Sequence, residues 1–215
     1  MKNIKISVIG LGYVGLPLAI NFAKNDFTTF GIDKDPYKVS NLNKKKSYIS
    51  SISNLEIKNI FKKNITFTNE YSLIKESKFI IICLPTPLKN NIPDLSYLFE
   101  AINQISKFIK KKQDIVLEST SYPGTSKLLA NRLSILTGLK LEKDFFFGFS
   151  PERENPGGDL EYKKIPKVVS SFSQKSLTEI KNIYEKVFEK IIISKSVEET
   201  EAAKLLENCF RSVNI

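Results

Sequence analysis

Three glycines near the amino terminus have the spacing of a loop that binds phosphate groups. Gly10, Gly12 and Gly15 follow an apolar stretch at 4–9 and precede a helical pattern at 13–24. In such a G-x-G-x-x-G loop the first glycine permits a tight turn, the second lets the backbone approach a pyrophosphate, and the third lets helix and strand pack closely. The amino end of the helix offers unpaired amides and a positive dipole to the phosphates. The spacing therefore predicts a dinucleotide-binding βαβ unit.

A carboxylate follows where such a unit recognises a ribose. Asp33 stands 23 residues after Gly10, just past a second predicted strand at 27–32. A carboxylate there accepts hydrogen bonds from the adenosine ribose hydroxyls and repels a 2′-phosphate, which favours NAD over NADP. The alternative is a structural βαβ turn whose aspartate only caps the next helix.

Three further polar segments each follow a predicted strand. They are Cys-Leu-Pro-Thr-Pro-Leu at 83–88, Glu-Ser-Thr-Ser-Tyr-Pro-Gly-Thr at 118–125 and Ser-Pro-Glu-Arg-Glu-Asn-Pro-Gly at 150–157. Open α/β sheets bind ligands at the carboxyl ends of their strands, so we expect these segments to surround a site. On the last predicted helix, three polar side chains recur at i, i+4 and i+7 and share one face: Lys204, Asn208 and Arg211.

The elements that must position these residues alternate along the chain. Apolar runs predict strands at 4–9, 27–32, 65–68, 78–84, 115–118, 145–149, 167–170 and 191–194, and helices at 13–24, 94–110, 125–136, 174–188 and from 197 onward. Strands that are apolar throughout and separated by helices indicate a parallel sheet covered on both faces. We therefore predict an α/β fold, a Rossmann-like, doubly wound and mainly parallel sheet with helices on both faces. The last helix reaches Ile215 without a stop signal, so we expect the start of a long central helix that continues in a longer protein.

Composition excludes several kinds of chemistry. The chain has no histidine, which removes Ser-His-Asp triads, histidine zinc sites and histidine proton relays from these 215 residues. The two cysteines, Cys83 and Cys209, match no metal or redox spacing, and Cys83 lies in an apolar run typical of a buried, inert thiol. We therefore predict no metal site.

Charge and hydropathy limit the partners. The net charge is +10, but only three of the 33 basic residues are arginines and the lysines are scattered, which favours attraction of anionic nucleotides over a nucleic-acid role. No apolar run of about 18 residues is present, and the amino terminus lacks the features of a signal peptide. We expect a cytoplasmic protein with neither a nucleic-acid nor a membrane partner.

Five motifs in order carry a family resemblance. Gly-Leu-Gly-Tyr-Val-Gly-Leu-Pro at 10–17, the three segments above and Glu-Ala-Ala-Lys-Leu-Leu-Glu-Asn-Cys-Phe-Arg at 201–211 resemble the UDP-glucose/GDP-mannose dehydrogenase family over the whole chain. The segments at 118–125 and 150–157, with Ile-Pro-Lys-Val-Val at 165–169, are most similar to its UDP-N-acetylglucosamine 6-dehydrogenase branch. The resemblance implies a longer protein, whose nucleophilic cysteine and neighbouring aspartate lie beyond Ile215. It also implies an NAD-binding Rossmann domain at 1–195 and, at 196–215, the first part of a central helical domain for dimerisation and substrate binding.

The resemblance implies an activity and the residues that serve it. A homodimeric enzyme would use NAD to oxidise the C6 alcohol of a UDP-sugar, in this branch UDP-N-acetylglucosamine, to the uronic acid for surface polysaccharide precursors. The family's NAD contacts fall on Tyr13, Val14, Asp33, Lys38, Thr86 and Thr120. Its acid/base for thioester hydrolysis falls on Glu152, and the groups that hold the sugar's reacting oxygen and an ordered water fall on Lys204 and Asn208. The UDP-sugar site would be lined by Arg211, Lys167 and the backbone around Arg153 and Val168.

Simpler explanations stay open for these positions. Thr86 and Thr120 could be turn residues that bond their own backbone, and Glu152 could be a solvated loop acid. The polar face of the last helix could be only solvated, and Lys167 is equally open to a structural role. The chain also departs from the branch, since Ser170 and Ser171 stand where it usually has two glycines.

The whole-protein function has alternatives as well. One is a dehydrogenase for UDP-glucose or UDP-N-acetylmannosamine. Another is a different NAD-dependent dehydrogenase with the same first domain, such as a 6-phosphogluconate-like or hydroxyacyl-CoA enzyme. A stand-alone NAD- or nucleotide-binding module is the non-enzymatic alternative.

Overall fold

The described part of the chain has ten strands, and eight of them form one mainly parallel sheet. The computed structural model describes residues 4–90, 92–152 and 165–214. The strands are β1 (Lys5–Ile9), β2 (Thr28–Ile32), β3 (Ile65–Thr68), β4 (Phe79–Ile82), β5 (Leu88–Lys89), β6 (Ile92–Pro93), β7 (Asp114–Leu117), β8 (Phe146–Phe149), β9 (Lys167–Ser171) and β10 (Ile191–Ile193). The helices are α1 (Gly15–Lys24), α2 (Pro36–Asn43), α3 (Asn54–Ile60), α4 (Ser96–Ile105), α5 (Thr125–Thr137), α6 (Gln174–Tyr184) and α7 (Val197–Asn214), with a 3₁₀ turn at Tyr71–Glu76.

The strand order brings the ends of several strands to one edge. The order is β10-β9-β8-β7-β4-β1-β2-β3, and the small β5–β6 hairpin stands apart. All neighbours from β3 to β8 pair in parallel, whereas β9 pairs antiparallel with β8 and parallel with β10. Because β9 runs against β8, its first residue, Lys167, lies at the edge where β7 and β8 end. The predicted doubly wound, mainly parallel sheet is confirmed.

Two apolar cores cover the two faces of the sheet. In β4, Phe79 and Ile81 pack into a core with residues of α1 and α6, while Ile80 and Ile82 pack into a second core with residues of α4 and α5. Every residue of β4 is therefore buried, which is why its sequence is apolar throughout instead of alternating.

Two short helices lie where the sequence predicted none. The lysine-rich stretch after β2 forms α2 and α3, each begun by a side-chain cap: Asp35 accepts from the Tyr37 amide at 2.9 Å, and Ser53 from the Glu56 amide at 3.1 Å. Helices of eight and seven residues expose most of their surface here, so their apolar periodicity is weak. The predicted helices at 94–110 and 174–188 are shorter in the structure, ending at Ile105 and Tyr184.

The last helix packs through a polar side. Its buried residues are Val197, Thr200, Glu201 and Lys204, whereas three large apolar side chains are exposed: Leu206, Phe210 and Val213. Its contacts are mainly with β8 and β9. Among the described residues, neither α7 nor any other helix combines the length and apolar character needed to cross a membrane.

Candidate functional site

The glycine loop connects β1 to α1 at the carboxyl edge of the sheet. Gly10 has φ of +90°, and a Cβ there would stand 2.5 Å from the Cys83 carbonyl oxygen. A Cβ on Gly15 would stand 1.8 Å from the Gly10 carbonyl oxygen. Gly12 differs, since a Cβ there meets no atom within 4 Å and would point into open space. Gly10 and Gly15 are therefore required by packing, while Gly12 leaves room for a ligand's phosphates.

Asp33 joins this loop to the end of β2. Its Oδ2 accepts from the Leu11 amide at 2.8 Å and from the Lys38 ammonium at 3.0 Å, and its Oδ1 accepts from the Asp35 amide at 2.9 Å. The helix cap is Asp35, so Asp33 is not simply a capping residue. A carboxylate has about four acceptor sites, and three are used, which leaves capacity for a ribose hydroxyl.

Tyr48 holds the loop from the other side. Its hydroxyl donates to the Leu11 carbonyl at 2.6 Å, and burial raises the pKa of this phenol above its ordinary value. Tyr48 is a site residue that no sequence motif marks. It lies 37 residues from Leu11 in a stretch without a motif, so no local spacing points to it.

A cavity of about 570 Å³ extends from Asp33 along the glycine loop to the ends of β4 and β7. Its volume is in the range of small-molecule and cofactor sites. At the Asp33 end it is lined by Asp33, Lys34, Asp35, Lys38 and Tyr97; along the loop by Gly10, Gly12, Tyr13 and Val14; and at the inner end by Cys83, Leu84, Pro85, Thr86, Glu118, Ser119, Thr120 and Glu152.

The structure brings together most residues expected to contact NAD. The residues expected at NAD and found on the cavity wall are Gly10, Gly12, Tyr13, Val14, Asp33, Lys38, Thr86 and Thr120. Gly15 lies behind the loop, where it allows close packing. The Thr86 hydroxyl donates to the Thr120 carbonyl at 2.6 Å and so ties two strand-end segments together. With open space at Gly12 and acceptor capacity at Asp33, these residues fit a dinucleotide.

A buried ion pair lies at the inner end of the cavity. The Lys167 ammonium bonds the Glu118 carboxylate, which also accepts from the Tyr184 hydroxyl, and the ammonium bonds Glu152 Oε2 at 3.1 Å. Burial raises the pKa of Glu118 to about 7 despite the adjacent ammonium. Burial also opposes the charge on Lys167, but the two carboxylates outweigh it and raise its pKa to about 12. Lys167 was expected at the UDP-sugar; the structure instead buries it, 2% exposed, among protein groups.

A second cavity of about 500 Å³ lies beside α7. Val168 and Lys204 meet there, and the other lining residues are Pro151, Thr200, Ala203, Leu206, Glu207 and Phe210. Lys204 is 7% exposed, and burial lowers the pKa of its ammonium although Glu207 stands 3.4 Å away. Asn208 and Arg211 are half-buried on the same side of the helix. Arg153 lies outside the described residues.

The two cavities adjoin at the segment that follows β8. Pro151 lines the second cavity and the next residue, Glu152, lines the first. The linings of the two cavities therefore come together at consecutive residues of this segment. The arrangement provides carboxylates on the dinucleotide side and an ammonium, Lys204, on the other.

The two cysteines differ in exposure. Cys83 is buried as predicted, and burial raises the pKa of its thiol well above the ordinary value, which suppresses the reactive thiolate. Cys209 is exposed on α7. Within 4–90, 92–152 and 165–214, no group of three His, Cys, Asp or Glu side chains is arranged to hold a metal ion.

The chain is similar in sequence to a known protein family. Residues 4–188 match the profile of the NAD-binding domain of the UDP-glucose/GDP-mannose dehydrogenase family. Protein CapL of Staphylococcus aureus is 37% identical over 217 residues, which cover 99% of this chain and 50% of the relative. UDP-N-acetyl-D-glucosamine 6-dehydrogenase of Pseudomonas aeruginosa is 35% identical over 224 residues, which cover 100% of this chain and 51% of the relative.

Solved structures match the fold. The UDP-D-ManNAc dehydrogenase of Pyrococcus horikoshii has a TM-score of 0.93 at 32% identity, over 99% of this chain and 51% of that one. The GDP-mannose dehydrogenase of Pseudomonas aeruginosa, solved as a ternary complex, has a TM-score of 0.90 at 25% identity, over 100% of this chain and 50% of that one. The chain spans about half the length of the curated relatives it matches.

Proposed function

Because the chain belongs to the UDP-glucose/GDP-mannose dehydrogenase family and carries its NAD-binding domain, we propose that it is the cofactor-binding half of a UDP-sugar 6-dehydrogenase. The observation that supports this most directly is the adjacency of the two cavities at Pro151 and Glu152. One cavity fits a dinucleotide, and the other presents a buried ammonium to a second ligand.

The reaction we propose converts the C6 alcohol to a carboxylate in two oxidations, with two NAD consumed. NAD, when bound, supplies the hydride acceptor for each oxidation. Between the two, a cysteine thiolate adds to the aldehyde, and water later releases the acid from the resulting thioester. Cys83 is buried and neither cysteine lies in the family's nucleophile motif, so we propose that the 215-residue chain alone does not complete the conversion.

The chain's own residues serve this reaction from both cavities. Lys204 donates to the sugar's reacting oxygen and stabilises the negative charge that develops there, with Asn208 beside it holding an ordered water. Glu152 takes up the proton from the water that hydrolyses the thioester. Arg211 and the backbone at Val168 and Arg153 bind the UDP-sugar. The division of the chain into 1–195 and 196–215 remains part of this proposal.

The sugar we propose is UDP-N-acetylglucosamine, with UDP-N-acetylmannosamine and UDP-glucose as the competing substrates. One support is the similarity of the segments at 118–125 and 150–157 to the UDP-N-acetylglucosamine 6-dehydrogenase branch of the family. The other is that similar proteins are named for UDP-sugars that carry an N-acetyl group. The chain would thereby serve the synthesis of surface polysaccharide precursors.

Counting NADH tests the function. A protein extended past Ile215, given NAD and each UDP-sugar separately, is expected to yield two NADH per UDP-N-acetylglucosamine consumed. The 215-residue chain is expected to bind NAD and to show no steady turnover. Two equivalents of NADH with steady turnover from the short chain would contradict the dependence on further sequence. Turnover with none of the three sugars from the extended protein would favour a nucleotide-binding module.

We propose that the extended protein is a homodimer. The support is the apolar side of α7, where Leu206 is 72%, Phe210 69% and Val213 83% exposed. Large apolar side chains in a row are unfavourable in water and typically mark an interface. Light scattering should give twice the monomer mass, and a Phe210→Asp variant should shift it towards the monomer; a monomeric unmodified protein would contradict this.

A further inference from the structure

A buried ion pair joins the end of β7 to the start of β9 beneath the inner end of the cofactor cavity. Glu118 directly follows β7 and Lys167 begins β9, and both are buried, at 2% exposure each. The Lys167 ammonium also lies 5.8 Å from the centre of the Tyr184 ring and 5.3 Å from that of Phe188. Taking two charges out of water costs several kcal/mol each, and apolar replacements of such pairs are often neutral or stabilising. Stability alone therefore does not account for these residues.

The contacts of the pair point toward the cavity. Lys167 bonds Glu118 on one side and Glu152 on the other, and both carboxylates line the cofactor cavity. Tyr184, on α6, fixes Glu118 through its hydroxyl. The ammonium thus connects the core to Glu152 on the wall of the first cavity, next to Pro151 on the wall of the second. Buried groups that orient a functional side chain in this way commonly determine its activity.

We propose that Lys167 is a positioning residue for Glu152, which it holds at the inner end of the cofactor cavity while Glu118 and Tyr184 hold Lys167. The proposal rests on the proposed function, which gives Glu152 its role. Lys167 thereby acts on the reaction through another side chain, without touching the sugar.

Asp33 marks the adenosine end of the cavity, so Glu152 marks the nicotinamide end. The nicotinamide ring is cationic in NAD and neutral in NADH. A carboxylate held at that end therefore favours binding of NAD over NADH, and its effect depends on its being held in place.

The test compares affinities for NAD and NADH at pH 8, above the pKa of Glu118. The four chains are the unmodified protein, Glu152→Gln, Glu118→Gln/Lys167→Met, and the combination of all three substitutions. Glu152→Gln is expected to reduce the preference for NAD on the order of tenfold in the unmodified chain, the effect of one nearby charge in a half-buried site. In the Glu118→Gln/Lys167→Met background the same substitution is expected to change the preference less, because the contact between Lys167 and Glu152 is lost. A further pair of chains carries Lys167→Arg, with and without Glu152→Gln. Because arginine keeps the positive charge, Glu152→Gln should change the NAD preference there almost as much as in the unmodified chain.

A second measurement tests the contact itself on the 215-residue chain. With ¹⁵N-lysine labelling, the buried Lys167 ammonium should give a slowly exchanging signal that shifts in Glu152→Gln and stays in place in the control Glu56→Gln. Thermal unfolding reports whether each variant is folded.

Different results would overturn the positioning of Glu152 by Lys167, the placement of Glu152 at the nicotinamide end, and the proposed function. An unchanged Lys167 signal in Glu152→Gln, or a full Glu152→Gln effect in the Glu118→Gln/Lys167→Met background, would overturn the positioning. An absence of any Glu152→Gln effect on the preference in the unmodified chain would overturn the placement of Glu152 at the nicotinamide end, on which both ideas depend. Failure of the extended protein to turn over any UDP-sugar would overturn the proposed function while leaving the contact standing.

Discussion

Glu201 on α7 and Ser126 on α5 are joined by two hydrogen bonds to a single carboxylate oxygen. Glu201 Oε1 accepts from the Ser126 amide at 2.8 Å and from its hydroxyl at 2.7 Å, and Oε2 accepts from the Gly124 amide at 2.6 Å. Both side chains are fully buried. The first amides of a helix have no intrahelical partners and carry positive partial charge, so a carboxylate is favourable there. One turn further along α7 stands Lys204, and this contact therefore fixes where Lys204 lies.

Removing this carboxylate should loosen α7. Glu201→Ala leaves buried amides without partners, which should lower the stability of α7 docking by about 2–4 kcal/mol. Hydrogen exchange of the α7 amides, followed in the unmodified chain and the variant, measures the loss. Glu198→Ala is the control, because Glu198 is exposed on the same helix. Equal protection of α7 in all three proteins would contradict the prediction.

Two glycines of the same loop should fail in different ways when replaced by alanine. Gly15→Ala places a Cβ 1.8 Å from the Gly10 carbonyl, so the loop must move, and unfolding should become easier by about 2–3 kcal/mol. Gly12→Ala meets no protein atom, so its stability should stay within about 0.5 kcal/mol while NAD binding falls at least tenfold. Urea unfolding and calorimetric titration with NAD separate the two effects. The reverse assignment, stable Gly15→Ala and unstable Gly12→Ala, would refute this division of roles.

The loop and Asp33 could be predicted from sequence because phosphate and ribose recognition fix their spacing. The apolar strands were equally visible, since burial on both faces leaves no polar alternation. Tyr48, Tyr184 and Glu201 carried no such signal. Each acts on a partner far along the chain, 37, 66 and 75 residues away, and only the packed fold brings the pairs together.

Lys167 shows a different limit of sequence reasoning. A lysine at the start of a strand is compatible with a ligand contact or with a structural role. Its burial follows from the antiparallel direction of β9, which turns its first residue toward the ends of β7 and β8. Strand direction at the sheet edge is decided by tertiary packing, so the sequence left the question open.

Asp33 should set both the cofactor preference and the order of the glycine loop. Asp33→Ala removes a ribose acceptor and the bond to the Leu11 amide, so NAD affinity should fall by about 1.5–3 kcal/mol and the gap to NADP should narrow. Asp33→Asn keeps an acceptor oxygen for the Leu11 amide, so the glycine loop should stay better ordered than in Asp33→Ala. Because the negative charge is lost, discrimination against the 2′-phosphate should still be weaker than in the unmodified chain. Titration of NAD and NADP into the three proteins measures this. Equal affinity of the unmodified chain for both cofactors would rule out the assignment.

Lys204 should matter to turnover far more than its neighbours. In the extended protein, Lys204→Ala removes a charged donor worth about 3–4 kcal/mol to the developing oxyanion, so turnover should fall by about two to three orders of magnitude. Lys195→Ala, an exposed lysine just before α7, is the matched control. Initial rates of NADH formation are the measurement, and a rate within tenfold of the unmodified enzyme would contradict the role.

The buried carboxyl of Glu118 should make stability depend on pH with a definite sign. Its pKa is about 7 in the folded chain against an ordinary 4.5, so between these values the folded chain holds a proton that the unfolded chain has released. This group therefore favours folding most below pH 4.5, and its contribution declines as the pH rises to 7, by up to about 3 kcal/mol. In Glu118→Gln the side chain cannot ionise, so the free energy of unfolding should no longer fall over this pH range. The control is Glu56→Gln, which removes an exposed ion pair with Lys24 and should leave the fall unchanged. Free energies of unfolding from urea titrations at pH 5 and pH 8 give the slope for each protein. If Glu118→Gln lost stability between pH 5 and pH 8 as steeply as the unmodified chain, another group would be responsible, and burial would not be the dominant influence on Glu118.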